Sequence, residues 1–113
     1  MSLEIIFSKL IDLLGQEGIE TNRTLIYCQT SRQCAVLYRM FALTLKDRFY
    51  HAIQKPHNRL IEMNHAGTTE CVKGHVINDF GNVKGHIRIL ISTINFGMGV
   101  DCKFVWQVIH FGP

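Results

Sequence analysis

Paired cysteines, long apolar runs and a leader-like start are all missing from this sequence of 113 residues. Its four cysteines, Cys28, Cys34, Cys71 and Cys102, form no CxxC unit, and their spacing suits neither a zinc ribbon nor a compact disulfide framework. Reduced thiols and an intracellular address are the expectation. Six histidines are present, but Cys71 and His75 are the closest Cys/His pair and no second pair stands near them, so no metal site is expected. No apolar stretch approaches the roughly 20 residues that a spanning helix needs. The N-terminus has no basic n-region and no small-residue cleavage site, which excludes a secretory signal and leaves no membrane partner to expect.

Several catalytic signatures are missing too. The ATP-cradling pattern GxxxxGK[ST] does not occur. The string from Gly97, G-M-G-V-D-C, puts Cys102 where a dinucleotide fingerprint needs Gly or Ala. G-x-S-x-G is absent, and no carboxylate pair is placed for acid–base work. Cys28 follows a strand-like run as a phosphatase-type thiolate would, but Cys34 stands where such a loop needs Arg. By its own residues the chain holds no complete active site.

What is present describes one globular domain over residues 1–113, with 47% hydrophobic and 19% charged residues. The net charge of +3 is uneven: residues 1–22 carry −3, residues 23–59 carry +6, and residues 60–113 balance. The basic segment could face phosphates or form a solvated helix face. Apolar spacing predicts a helix from Ser2 to about Gly18, with Leu3, Ile6, Leu10, Leu13 and Leu14 inward and Gly18 as its C-cap. "TLIYC" (24–28) reads as a buried strand. A second helix, opened by Thr30 or Ser31, runs to about Leu45 with Val36, Leu37, Met40, Phe41 and Leu45 inward. Residues 46–59 read as a basic surface loop around Pro56. A short strand over 60–64, a helix over 69–80 with Val72, Val76, Ile77 and Phe80 inward, and strands over 86–92 and 104–111 complete the chain. Strands alternating with amphipathic helices give an α/β fold, a mostly parallel sheet covered on both faces.

Ligands of such sheets bind beyond the carboxyl ends of the strands. The segments there are "QTSR" (29–32), "HAG" (65–67), "STINFGMGVD" (92–101) and "HFGP" (110–113), all rich in hydroxyl, His or Gly residues. Thr30, Ser31 and the helix amides behind them could hold a phosphate, or simply cap the helix. His65 offers an imidazole and Gly67 a close backbone approach. Gly97 and Gly99 flank Met98 in a loop free to expose amides, and Asp101 could accept ribose hydroxyls or cap a turn.

These stretches, "TLIYCQTSR", "HAG" and "ILISTINFGMGVDCKFVWQVIHFGP", resemble motif IV, the following DNA-path loop and motif V in the second RecA-like lobe of RecQ-type DNA helicases of superfamily 2. The "FGMG" tetrad preceded by Ser92-Thr93 is the most specific feature. The resemblance implies a RecA-like lobe of P-loop NTPase-like architecture without the P-loop. It implies part of an ATP-dependent helicase, inactive in isolation, that moves 3′ to 5′ and needs ATP and Mg²⁺ held mainly by a missing first lobe. Ser31, Arg32, His65, Gly67 and Thr93 would touch single-stranded DNA, and Gly99 and Asp101 would face the nucleotide. DNA repair or recombination in the nucleus would be the setting. Asn64 replaces a common Tyr, Cys102 a frequent Lys, and motif VI, with its arginines, does not follow by Pro113. Phosphoryl transfer needs a phosphate cradle, Mg²⁺ and an arginine clamp together. The alternative is a non-catalytic nucleic-acid-binding or interaction module from a truncated helicase gene.

Overall fold

Phe7 sets the first departure from the sequence pattern. Instead of one helix over 2–18, the computed structural model has α1 (Leu3–Ile6) and α2 (Ser8–Glu17), separated by Phe7 at φ −102°, ψ 13°. The break turns Phe7 into the core, where its ring meets Phe41 at 5.8 Å and Phe111 at 5.7 Å, edge-on or tilted. Ile6, expected inward, is half exposed as a result. The structure describes residues 3–51, 58–65, 70–80, 82, 84–93 and 105–111, so the proposed Ser2 cap lies outside it. Leu10, Ile11 and Leu14 bury one stripe of α2, at about 1.5–3 kcal/mol per side chain. Gly18 ends α2 at positive φ (52°), its N–H donating to the Leu14 carbonyl, as a C-cap glycine should. A short 3₁₀ turn (Gly18–Glu20) then leads into β1 (Arg23–Cys28).

The second helix, α3 (Ser31–Leu45), begins with a complete capping box. Thr30 Oγ1 accepts from Gln33 N at 3.1 Å, and Gln33 Oε1 accepts from Thr30 N at 3.4 Å and from Gln29 N at 2.8 Å. Leu37, Met40, Phe41 and Leu45 face inward as expected, but Val36 is exposed and Cys34 takes its place in the core. The supposed basic surface loop is a correction: Lys46–Phe49 is a 3₁₀ turn that buries Phe49. Tyr50 and Arg59 then pair in an antiparallel bridge, and Asn58 is buried beside them. An aromatic inserted among basic residues gave the segment an inner side that charge counting hides.

The remaining elements are β2 (Ile61–Asn64), α4 (Glu70–Phe80), β3 (Ile89–Thr93) and β4 (Val105–Phe111). The four strands form one sheet in the order β2-β3-β1-β4, every neighbouring pair parallel. This is the expected α/β fold with a parallel sheet. One face, with Ile26, Cys28, Ile61, Ile89 and Ile91, packs against α2, α3 and Phe49. Across the sheet, Leu25 and Leu90 pack with Val76, Phe80 and Ile87. Cover on this second face is incomplete: Trp106 is 66% exposed and Val108 49% on β4.

Period-two alternation places Arg23 under α4, where a charge has to be satisfied or expelled. Its Nη1 donates to Phe80 O at 2.8 Å and Nη2 to Gly85 O at 3.1 Å and to Asn82 O, closing the C-terminal end of α4. The guanidinium also lies 5.6 Å from the Phe80 ring centre. Asp79 completes the lock by accepting from His86 N at 2.8 Å and Ile87 N at 2.7 Å. A Cβ on Gly85 would sit 2.0 Å from the Asp79 carbonyl oxygen, so the turn admits only glycine.

Candidate functional site

Strand register brings the sequence-predicted loops to one edge. Cys28 lies opposite both Thr93 and Phe111, and Asn64 opposite Ser92, so all four strands end at nearly the same level. At about 4.8 Å per strand, this carboxyl rim is about 14 Å wide. The rim ends of β1 and β3, at Cys28 and Thr93, are immediate neighbours.

Each candidate has a distinct place. Ser31 and Arg32 are the first two residues of α3, Ser31 partly buried and Arg32 exposed. The capping box engages Gln33 N, and Cys34 N donates to Thr30 O at 3.2 Å. Among the described residues the amides of Ser31 and Arg32 have no acceptor, which leaves two donors and the positive end of a 15-residue helix at the rim. Thr30 itself caps the helix, so of the two readings for the hydroxyls, capping holds for Thr30. His65 directly follows β2 and is partly buried. Thr93 ends β3 at the rim, with its Oγ1 buried and without a hydrogen-bond partner among the described residues. Gly67, Gly99 and Asp101 lie outside the described residues, and with them most of the "HAG" and "FGMG" loops. Structure therefore brings Ser31, Arg32, His65 and Thr93 to one rim.

Three supports have structural roles that the sequence does not announce. Gln33 ties the Gln29–Thr30 turn to α3 through both backbone amides. Its T-x-x-Q spacing was the available signal. Ser92 Oγ donates to Asn64 O at 2.9 Å and lies 3.0 Å from Thr93 O, stapling the ends of β2 and β3. Tyr27 and His110 stack at 5.4 Å with 30° between ring planes, next to the carboxyl ends of β1 and β4. No periodicity could reveal that pair, because it depends on the register between two strands far apart in the chain, Tyr27 of β1 opposite His110 of β4. Below the rim, Cys28 donates to Cys34 within the core; this hydrogen bond, with burial, pushes the Cys28 thiol up, and the same bond draws Cys34 down. Cys28 is thus a core thiol, as its apolar context suggested. Among the described residues no three His, Cys, Asp or Glu side chains converge as a metal site, and no helix is long and apolar enough to cross a membrane.

The sequence pattern of the helicase conserved C-terminal domain matches residues 6–113. An ATP-dependent DNA helicase Q1 from Caenorhabditis elegans is 30% identical over 100 residues, covering 88% of this chain and 12% of that protein. ATP-dependent DNA helicase Q4 from Mus musculus is 36% identical over 53 residues, covering 47% of this chain and 4% of that protein. The chain thus spans about an eighth or less of the curated relatives it matches. No solved structure matches it.

Proposed function

Because the chain belongs to the helicase conserved C-terminal domain family, as a RecQ-type lobe, we propose that it is the second motor lobe of an ATP-dependent, 3′ to 5′ DNA helicase. The observation that carries this reading is the common rim of Ser31, Arg32, His65 and Thr93 at the carboxyl ends of four parallel strands. The amides of Ser31 and Arg32, without acceptors among the described residues, suit a phosphate, and the buried, unpartnered Thr93 hydroxyl suits a second oxygen of the same strand once it is uncovered. Such contacts hold single-stranded DNA by its backbone without reading bases. The stacked Tyr27–His110 pair could add a base platform.

ATP and Mg²⁺ would be held mainly by a first RecA-like lobe, which supplies the phosphate cradle this sequence lacks. When bound, ATP supplies the free energy of γ-phosphate cleavage. Gly99 and Asp101 are proposed to approach the nucleotide from this lobe, and Gly67 to approach the DNA. What this chain's described residues do is bind and orient a strand: α3 presents donors, and Ser92 keeps β2 and β3 level. A nuclear setting in DNA repair or recombination belongs to the same proposal.

The test joins the chain to a matching first lobe and a motif VI segment. DNA-stimulated ATP hydrolysis should appear, and Thr93→Ala or His65→Ala should reduce the stimulation by DNA at unchanged melting temperature. A well-folded joined protein without DNA-stimulated hydrolysis would refute the reading. Steeply salt-dependent single-stranded DNA binding by the chain alone would favour the non-catalytic module instead.

A further inference from the structure

We propose that the amino-terminal edge of the sheet, opposite the rim described above, holds a phosphate-binding cavity built from Arg23, Lys84 and Arg88. The cavity has a volume of about 420 Å³ and is lined among the described residues by Ile19, Glu20, Thr21, Asn22 and these three cations. That volume takes a phosphate with several waters, each about 30 Å³. The five steps of about 3.3 Å along a six-residue strand put it about 17 Å from the carboxyl rim, so one phosphate cannot touch both.

Two of the cations are tied to backbone carbonyls before any ligand arrives. Arg23 is fixed by the carbonyls of Phe80, Asn82 and Gly85. Arg88 donates from Nη2 to Gly85 O, and among the described residues this is the sole acceptor for a guanidinium that carries five donor hydrogens. Lys84 is exposed at the mouth on a turn closed by Asn82 Oδ1, which accepts from Lys84 N at 2.9 Å. Desolvation first, and then the neighbouring Arg88, holds Arg23 below its ordinary value, and burial lowers Arg88 likewise. Two guanidiniums crowd one another there. Asp79 offsets burial at both arginines and Glu20 does so at Arg88, while both Asp79 oxygens already accept from backbone amides. Glu20 lines the same space and opposes an anion. A bound phosphate would accept from the unused part of the Arg88 fork and from Lys84, and would relieve the repulsion between the arginines.

A phosphate ion and a phosphate of a nucleic-acid backbone offer the same oxygens, so the experiment separates them. The ¹⁵N resonances of the chain are followed during titration with inorganic phosphate, against sodium chloride at equal ionic strength. Saturable shifts confined to Thr21, Asn22, Lys84 and the Arg88 side chain are expected with phosphate and not with chloride. Lys84→Gln should weaken binding about threefold and Glu20→Gln should strengthen it about threefold, both at exposed positions that leave the fold intact. Arg88→Gln should abolish saturation. Release of the bound phosphate by a short oligothymidylate would assign the cavity to a strand phosphate, and its retention to the free ion. Equal shifts with chloride, linear shifts without saturation, or weaker binding in Glu20→Gln would each overturn the proposal.

Discussion

Glu62 offers the sharpest quantitative test of how this fold is held together. It lies on β2, only 4% exposed, on the face turned toward α4. Burial pushes its carboxyl up from 4.5 to about 7; Arg59, at 3.8 Å, pulls the other way, and Asp79 adds to the rise. Tyr38 of α3 lies close enough to feel the charge, and its hydroxyl is pushed up to about 12, chiefly by burial and then by Glu62. The folded chain therefore holds more protons than the unfolded chain between pH 4.5 and about 7. Stability from this group is fullest below pH 4.5 and is lost as pH rises through 7. Ionising it in the folded state costs about 3 kcal/mol once the pH is well above that range. Glu62→Gln keeps the shape and removes the titration. The variant should match the parent at pH 4 and exceed its stability by about 2–3 kcal/mol at pH 8.5, measured by urea unfolding followed by far-ultraviolet circular dichroism. A variant less stable than the parent at pH 8.5 would mean that the Arg59 contact outweighs desolvation, and the reasoning would fail.

Thr30→Ala removes the capping box and should lower stability by about 1 kcal/mol in the same unfolding assay, with Thr30→Ser retaining most of it. Gly85→Ala drives a methyl into the Asp79 backbone and should destabilise by about 3 kcal/mol or prevent folding. An Ala variant of parental stability would disprove the tight turn. Lys46 ends α3 at φ 53°, a left-handed conformation for a non-glycine residue, so Lys46→Gly should gain about 1 kcal/mol. Arg23→Leu strips the donor from three carbonyls and should cost about 3 kcal/mol or more, visible as a fall in melting temperature.

Much of the fold was legible because its signals are local. The β-branched and apolar runs at 24–28 and 86–92 have no helical period, and the structure has strands at Arg23–Cys28 and Ile89–Thr93. The stripe at Leu37, Met40, Phe41 and Leu45 follows helical spacing and is buried as such. Failures came where a side chain answers to a distant partner. Phe7 breaks the first helix because Phe41 and Phe111 accept its ring. Phe49 turns a basic stretch inward, and Arg23, counted as part of a positive surface, instead spends its donors inside.

At the candidate site the same division holds. Residue types marked the segments 29–32, 65–67 and 92–101, because hydroxyls, imidazole and glycines after apolar strands are a local pattern, and the resemblance to RecQ-type lobes singled out Ser31, Arg32, His65 and Thr93 within them. The sequence also determined the strand and helix identities and the capping box, all encoded within a few residues of chain. Only tertiary structure decided that these groups share a rim, since a parallel register such as Cys28 opposite Thr93 is set by how two faces pack and not by either strand. It likewise decided which charges are buried. Arg23 and Glu62 are ordinary polar letters in the chain, and their unusual energetics arise from the neighbours that exclude water from them.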